Sequence, residues 1–169
     1  KIASPDLTTY YYKVAANNGD MQSEFAESAN VTIGVSVKLP YENSIHSEEL
    51  FDQLTVIDAN NDKSTWTFDS DYEAATYKYN AENAGDDWLV SPAVNMKKNA
   101  AYKFSFDAVN TYPVERVAAA VGLAPTAEAL TEEIIAPTDI TYDPRRHTLT
   151  GTYRAKEDGL HYFGIHSVS

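Results

Sequence analysis

Three oxygen-bearing side chains, Asp58, Asn60 and Asp62, stand at alternate positions of one short polar run, Asp58-Ala59-Asn60-Asn61-Asp62-Lys63. Oxygens at positions one, three and five of a tight loop can converge on one hard cation, and calcium loops use this spacing. Asp69 falls at position twelve of the same count. Lys63 stands where an EF-hand loop needs glycine, and no helical periodicity flanks the run. An EF-hand is therefore excluded. The competing reading is a solvated turn whose Asp and Asn side chains bond to their own backbone. Both readings stay open at the level of sequence.

Other chemistries find less support. There is no cysteine, which removes disulfides, thiolate metal clusters and thiol nucleophiles. His161 and His166 are five apart on an expected strand and so face opposite ways, and His46 and His147 add no zinc-like pairing. Ser91 precedes Pro92 and lacks a Gly-x-Ser-x-Gly context. A glycosidase pair needs two acids at a defined separation, and 25 acidic residues supply accidental pairs without specifying one. Trp66 and Trp88, with Tyr72, Tyr77 and Tyr79, have the composition of a sugar-stacking platform, but tryptophan in a β-sandwich more often belongs to the core. Arg145-Arg146-His147 reads as a small solvated basic spot. With 13 basic residues and a net charge of −12, the chain lacks the positive field that nucleic-acid binding requires. No apolar run approaches the roughly 18 residues of a spanning helix, so no membrane insertion is expected.

The elements that must position these residues are strands. Tyr10, Tyr12, Val14 and Ala16 alternate with polar residues, as do Val31, Ile33, Val35 and Val37; Tyr102, Phe104, Phe106 and Ala108; and His161, Phe163 and Ile165. This period marks strands with one buried face. Turn residues separate them at 17–20, 58–62, 83–86, 142–144 and 158–159. The expected class is all-β, a jelly-roll sandwich. Alanine and glutamate enrich residues 114–135, broken by Gly122 and Pro125, and Thr126 can cap a short helix over 126–133. The spacing leaves 117–122 open between strand and helical turn. Composition changes near Pro40, and a domain boundary is expected there.

Residues 7–33, with Tyr10-Tyr11-Tyr12-Lys13-Val14-Ala15-Ala16-Asn17-Asn18 and the Ser23-Glu24-Phe25-Ala26 turn, resemble the closing hairpin of a fibronectin type III domain. Four later landmarks resemble the cleaved-adhesin domain of gingipain-type haemagglutinins, a jelly roll. These are Leu39-Pro40-Tyr41-Glu42-Asn43, the run from Ile57 through Asp62 to Trp66, Asp86-Asp87-Trp88-Leu89-Val90-Ser91-Pro92, and His161-Tyr162-Phe163-Gly164-Ile165-His166. The resemblance implies residues 1–34 as the last strands of a fibronectin type III-like domain and 35–169 as a cleaved-adhesin-like jelly roll, with further strands before Lys1 and after Ser169. It implies a strand over 116–122 and then the short helix. It also implies a structural Ca2+, with Glu42 or acids near Asp86 completing a shell around Asp58, Asn60 and Asp62. The implied function is a non-catalytic adhesion or binding module of an exported multi-domain bacterial surface protein, extracellular or on the cell surface. Its partners would be a host protein, a glycan or neighbouring domains. The alternative is a carbohydrate-binding or spacer domain of a larger secreted hydrolase. The resemblance names no ligand-binding residue.

Overall fold

Aromatic and β-branched residues at period two form antiparallel ladders throughout the chain. The computed structural model describes residues 8–11, 15–19, 21–24, 30–33, 36–78, 80 and 82–168, and it divides into two compact units, Lys1–Val35 and Ser36–Ser169. The first unit holds β1 (Thr8–Tyr11), β2 (Asn17–Asn18), β3 (Met21–Gln22) and β4 (Asn30–Ile33). β1 pairs with β4, setting Tyr10 opposite Val31 and Thr8 opposite Ile33. β2 pairs with β3 across Gly19, whose φ of 61° suits a residue without a Cβ. Tyr12, Val14 and Val35 of the expected apolar faces lie outside the described residues.

The second unit starts with α1 (Glu48–Phe51), where the Ser47 hydroxyl accepts from the Leu50 N–H and Glu48 and Glu49 occupy the first turn. Short strands follow: β5 (Thr55–Ile57), β6 (Thr67–Asp69), β7 (Ala74–Thr76), β8 (Trp88–Val90) and β9 (Val94–Met96). Three long ones complete it: β10 (Ala101–Gly122), β11 (Glu132–Arg154) and β12 (Gly159–Ser167). The main sheet runs in the order β11-β10-β12-β8-β5, with β9 also on β12, and β6 pairs separately with β7. All these strand pairs are antiparallel. No helix among the described residues is long and apolar enough to cross a membrane.

One hairpin supplies facing layers of this unit. β10 and β11 pair from Ala101↔Arg154 to Val121↔Glu132, with register shifts between Ala108 and Asn110 and between Asn110 and Val114. Ile134 and Gly151 both lie on β11, seventeen residues apart, which in a straight strand is roughly 56 Å. Yet a Cβ on Gly151 would stand 2.6 Å from the Ile134 carbonyl oxygen. The strand therefore folds back over itself. Phe104, in the first half of β10, stacks on Phe163 of β12 with ring centroids 4.8 Å apart, and Phe163 sits opposite Val121 in the second half. Val94, Met96, Val121, Tyr153, Ala155 and Phe163 form the core between the layers, and Ile135, Ile140 and Leu149 continue it with Ala119. The result is a β-sandwich.

Two local expectations are corrected. The turn expected at residues 142–144 is strand: it lies within β11, where the ladder steps from Ala108↔His147 to Asn110↔Asp143. The turn chemistry is absorbed as a bulge that bends the pair. The helix expected over 126–133 is only a 3-10 turn, Ala127–Ala129. Thr126 makes no side-chain capping bond, and Glu132 and Glu133 already pair with Val121 and Ala120. Ladder pairing overrides the local helix preference here. The short helix lies instead at α1.

The return of the hairpin also constrains Gly122. A Cβ there would lie 2.2 Å from the Ala129 carbonyl oxygen, a backbone atom that cannot swing aside. Gly122→Ala is expected to destabilise the protein by about 2–4 kcal/mol, read as a fall in the urea midpoint at unchanged m-value.

Candidate metal centre

The ladder between β5 and β8 builds this site. Ile57 pairs with Trp88, so Asp58, one residue past β5, and Asp87, one residue before β8, emerge side by side. The Ala59 N–H donates to Asp87 Oδ1 at 2.9 Å and fastens the loop to the strand. The loop then turns back on its own acids. Asp58 Oδ1 accepts from the Asp62 N–H at 3.1 Å, and Asp58 Oδ2 accepts from the Lys63 N–H at 3.0 Å. Asn60 Oδ1 also accepts from the Asp62 N–H at 3.1 Å, while its amide donates to the Ala84 carbonyl at 3.1 Å. Asp62 Oδ1 accepts from the Ser64 N–H at 2.7 Å. Asn61 and Lys63 take φ values of 62° and 67°. Lys63, at the sixth position, thus adopts the left-handed backbone that glycine adopts at lower cost.

These contacts bring one carboxylate oxygen each from Asp58, Asp62 and Asp87 within 4.8 Å of one another. Asp58 and Asp62 are half-buried, and Asp87 is fully buried at 0% exposure. No hydrogen bond of good geometry reaches Asp87 Oδ2 or the buried hydroxyl of Thr65, although the Thr65 and Tyr77 hydroxyls both interact with the Asp87 carboxyl. An unpartnered oxygen of a buried acid, beside two further acids, is costly without a compensating cation. Three carboxylates are a hard-oxygen donor set, which fits Ca2+ and not a thiophilic metal. The residues present fit a hard divalent cation.

The surroundings respond to this charge. Burial, opposed by the Ala59 N–H and the Thr65 hydroxyl, pushes the Asp87 carboxyl above its usual range, and Asp58 and Asp62 push the same way as burial. Burial, with the Asp87 and Asp62 carboxylates, pushes the Tyr77 hydroxyl up to about 12. The Asp87 carbonyl accepts from Trp66 Nε1 at 3.3 Å and from the Ser167 N–H at 2.9 Å. Trp66 leans on Tyr77 with centroids 5.3 Å apart. Asp87 is therefore a junction between the loop, β8 and the end of β12.

The structure joins Asp58 and Asp62 and adds Asp87 to them. Asn60 shapes the same loop through its two hydrogen bonds. Glu42 is exposed ahead of α1 and is not part of the three-acid group, and Asp69, on β6, accepts from the Asp71 N–H. Asp87 answers to the acids near Asp86 that the resemblance offers for the shell; the residue pattern itself marks it only as an acid directly before the apolar run Trp88-Leu89-Val90. The remaining candidates are engaged in structure. Trp88 is buried and stacked on His166 with centroids 4.0 Å apart, and His166 Nε2 lies 2.7 Å from Asp86 Oδ1. Ser91 Oγ donates to the Pro92 carbonyl and accepts from the Phe163 N–H. Tyr72 is 71% exposed, and Tyr79 lies outside the described residues.

The sandwich is similar in fold to a cleaved-adhesin domain. The likeness is to the crystal structure of the K1 cleaved adhesin domain of Lys-gingipain from Porphyromonas gingivalis W83, with a TM-score of 0.50 and 16% identity, over 69% of this chain and 81% of that one. No family model matches the sequence, and no curated protein matches it.

A carboxyl whose pKa is raised by folding contributes stability that is full below its unfolded value near 3.8 and is lost as pH rises through the folded value. With chelator present, wild type should therefore lose stability relative to Asp87→Asn as pH rises from below 4 toward 7. Near neutral pH the asparagine variant, whose amide can donate to Asp58 and Asp62, should be the more stable by about 1–3 kcal/mol. Denaturant midpoints across that pH range, in chelator, measure the difference. Parallel curves for the two proteins would mean that the buried carboxylate is already satisfied.

Proposed function

We propose that residues 36–169 form a non-catalytic adhesion module of an exported, multi-domain bacterial surface protein, with a structural Ca2+ held by Asp58, Asp62 and Asp87. The likeness in fold to a cleaved adhesin domain of Lys-gingipain carries the reading of the module and favours binding over catalysis. The buried, unpartnered Asp87 oxygen beside two other acids supports the ion. Asn60 shapes the loop, and Glu42 is left outside the first set of ligands. The ion would supply charge compensation and a tie between the loop after β5 and the start of β8. Its role here is mechanical. Residues 1–34 fit the same picture as the closing strands of a neighbouring fibronectin type III-like domain.

A ligand that binds only the folded state stabilises it by about 2.7 kcal/mol at a hundred times its dissociation constant. Thermal unfolding of the wild type in excess Ca2+ should therefore show a midpoint several degrees above that in chelator. Asp87→Asn should remove most of that increment, and Asp58→Asn with Asp62→Asn should remove it entirely. Trp66, whose indole bonds the Asp87 carbonyl, gives a fluorescence titration of the same event. If neither midpoint nor emission changes with Ca2+, the self-bonded turn stands in place of the ion site.

A further inference from the structure

β11 is an edge strand. It pairs with β10 on one side, and no other strand among the described residues pairs with it on the other. Edges of this kind are normally blunted with charge, proline or bulges. One half of β11 has those devices: Glu132, Glu133, Pro137 and Asp139 interrupt it, and its register against β10 shifts. The other half does not. From Ala101↔Arg154 to Ala108↔His147 the ladder runs through eight consecutive pairs without a shift. The segment Thr148-Leu149-Thr150-Gly151-Thr152-Tyr153 carries no charge and no proline. Its odd positions, Leu149, Gly151 and Tyr153, are buried, and Thr148, Thr150 and Thr152 are exposed. Such a strand is a ready template for an added one.

Charge selects what can be added. In a chain of net charge −12, this uncharged segment is bracketed by bases, Arg145 and Arg146 before it and Arg154 and Lys156 after it. Of these, Lys156 is paired with Glu132, and Arg154 donates to the Asn99 carbonyl while its side chain stays at the edge. The side chains of Arg145 and Arg146 are 88% and 77% exposed, and their ion pairs with Asp143 and Asp107 are long, 3.5 and 3.7 Å. A second copy aligned antiparallel about Thr150 would set Arg146 against Arg154 of that copy, opposing like charges across the ladder. A strand with acids near both ends would meet opposite charges instead. Arg146 and Arg154 are separated by roughly 27 Å along an extended chain.

The geometry points to residues 147–154 as a strand-addition site for an extended, acidic peptide segment of a partner protein. Main-chain hydrogen bonds to the open edge supply the binding, and the basic brackets select carboxylates at the two ends. The inference rests on the reading of this unit as a binding module and is independent of the ion.

The test uses the whole chain and two labelled peptides of alternating threonine and valine. One carries glutamates at the Arg146-to-Arg154 spacing, and the other carries lysines at the same places. Anisotropy titrations and amide hydrogen exchange are run in Ca2+ and in chelator. The glutamate peptide is expected to bind about tenfold tighter than the lysine peptide, with exchange slowed within 147–154. Arg145→Glu with Arg146→Glu, both exposed, inverts one bracket and leaves Arg154 at the other, and should abolish that preference at a nearly unchanged unfolding midpoint. Equal binding of the two peptides, no binding, or protection elsewhere overturns the proposal. So does slowed exchange at 147–154 in the protein alone that depends on its concentration, since the occupant would then be a second copy. Failure of the peptides with an intact Ca2+ effect removes the edge site alone. Binding retained without any Ca2+ effect removes the ion alone.

Discussion

The fold-back of the β10–β11 pair is the constraint on which the second unit depends. One antiparallel ladder contributes to both layers, so the core is assembled from residues that would be tens of ångströms apart on a flat ribbon. Gly151 permits a close approach of the two halves of β11, since a side chain there would strike the Ile134 carbonyl. The aromatic contact of Phe104 with Phe163 fills the space between the layers. Register shifts near Asn110 make the bend because a bulge both breaks pairing and increases local twist. β12 then docks on the second half of β10 along 117–122, and β8 and β5 extend the sheet from there.

That order of assembly explains how a site arises at the far strand. β5 is only three residues long, and its antiparallel register with β8 brings Asp58 and Asp87 out together. The buried sheet at Trp88, Leu89 and Val90 draws Asp87 inside with it, so the acid is buried by its neighbours' hydrophobicity and not by any affinity of its own. Its carbonyl is satisfied twice and one carboxylate oxygen once. The last oxygen is the residue of the conflict. A loop that brings Asp58 and Asp62 beside Asp87 concentrates negative charge where solvent is scarce.

The sequence is legible where one signal dominates. Alternation at Tyr102, Phe104 and Phe106 and at His161, Phe163 and Ile165 marks strands of β10 and β12, because burial on one face imposes period two. Asp58, Asn60 and Asp62 mark a self-bonded loop, because their spacing is local. Asp87 is harder to read: its place beside Asp58 depends on the register of two strands thirty residues apart. The segment 126–133 misleads because alanine and glutamate favour a helix locally, whereas Val121 and Ala120 need Glu132 and Glu133 as ladder partners. Residues 142–144 mislead for a related reason. Turn chemistry inside a long pair becomes a bulge when both flanks are already committed to the same partner.

The absence of cysteine bears on how the loops of such a unit are restrained. Small exported domains commonly restrain their loops with disulfides, and here the restraint must come from packing, ladder hydrogen bonds and charge. The long hairpin meets the first need through contacts of large sequence separation. The three-acid cluster would meet the second only if its repulsion is neutralised, since unneutralised carboxylates push the loop off β8 instead of tying it there. The same residues would then loosen the loop when a cation is lacking and fasten it when one is present. In such a design the concentration of a divalent ion would take the place that redox potential takes in a disulfide-bonded domain, because each would set whether a loop is tied to its core.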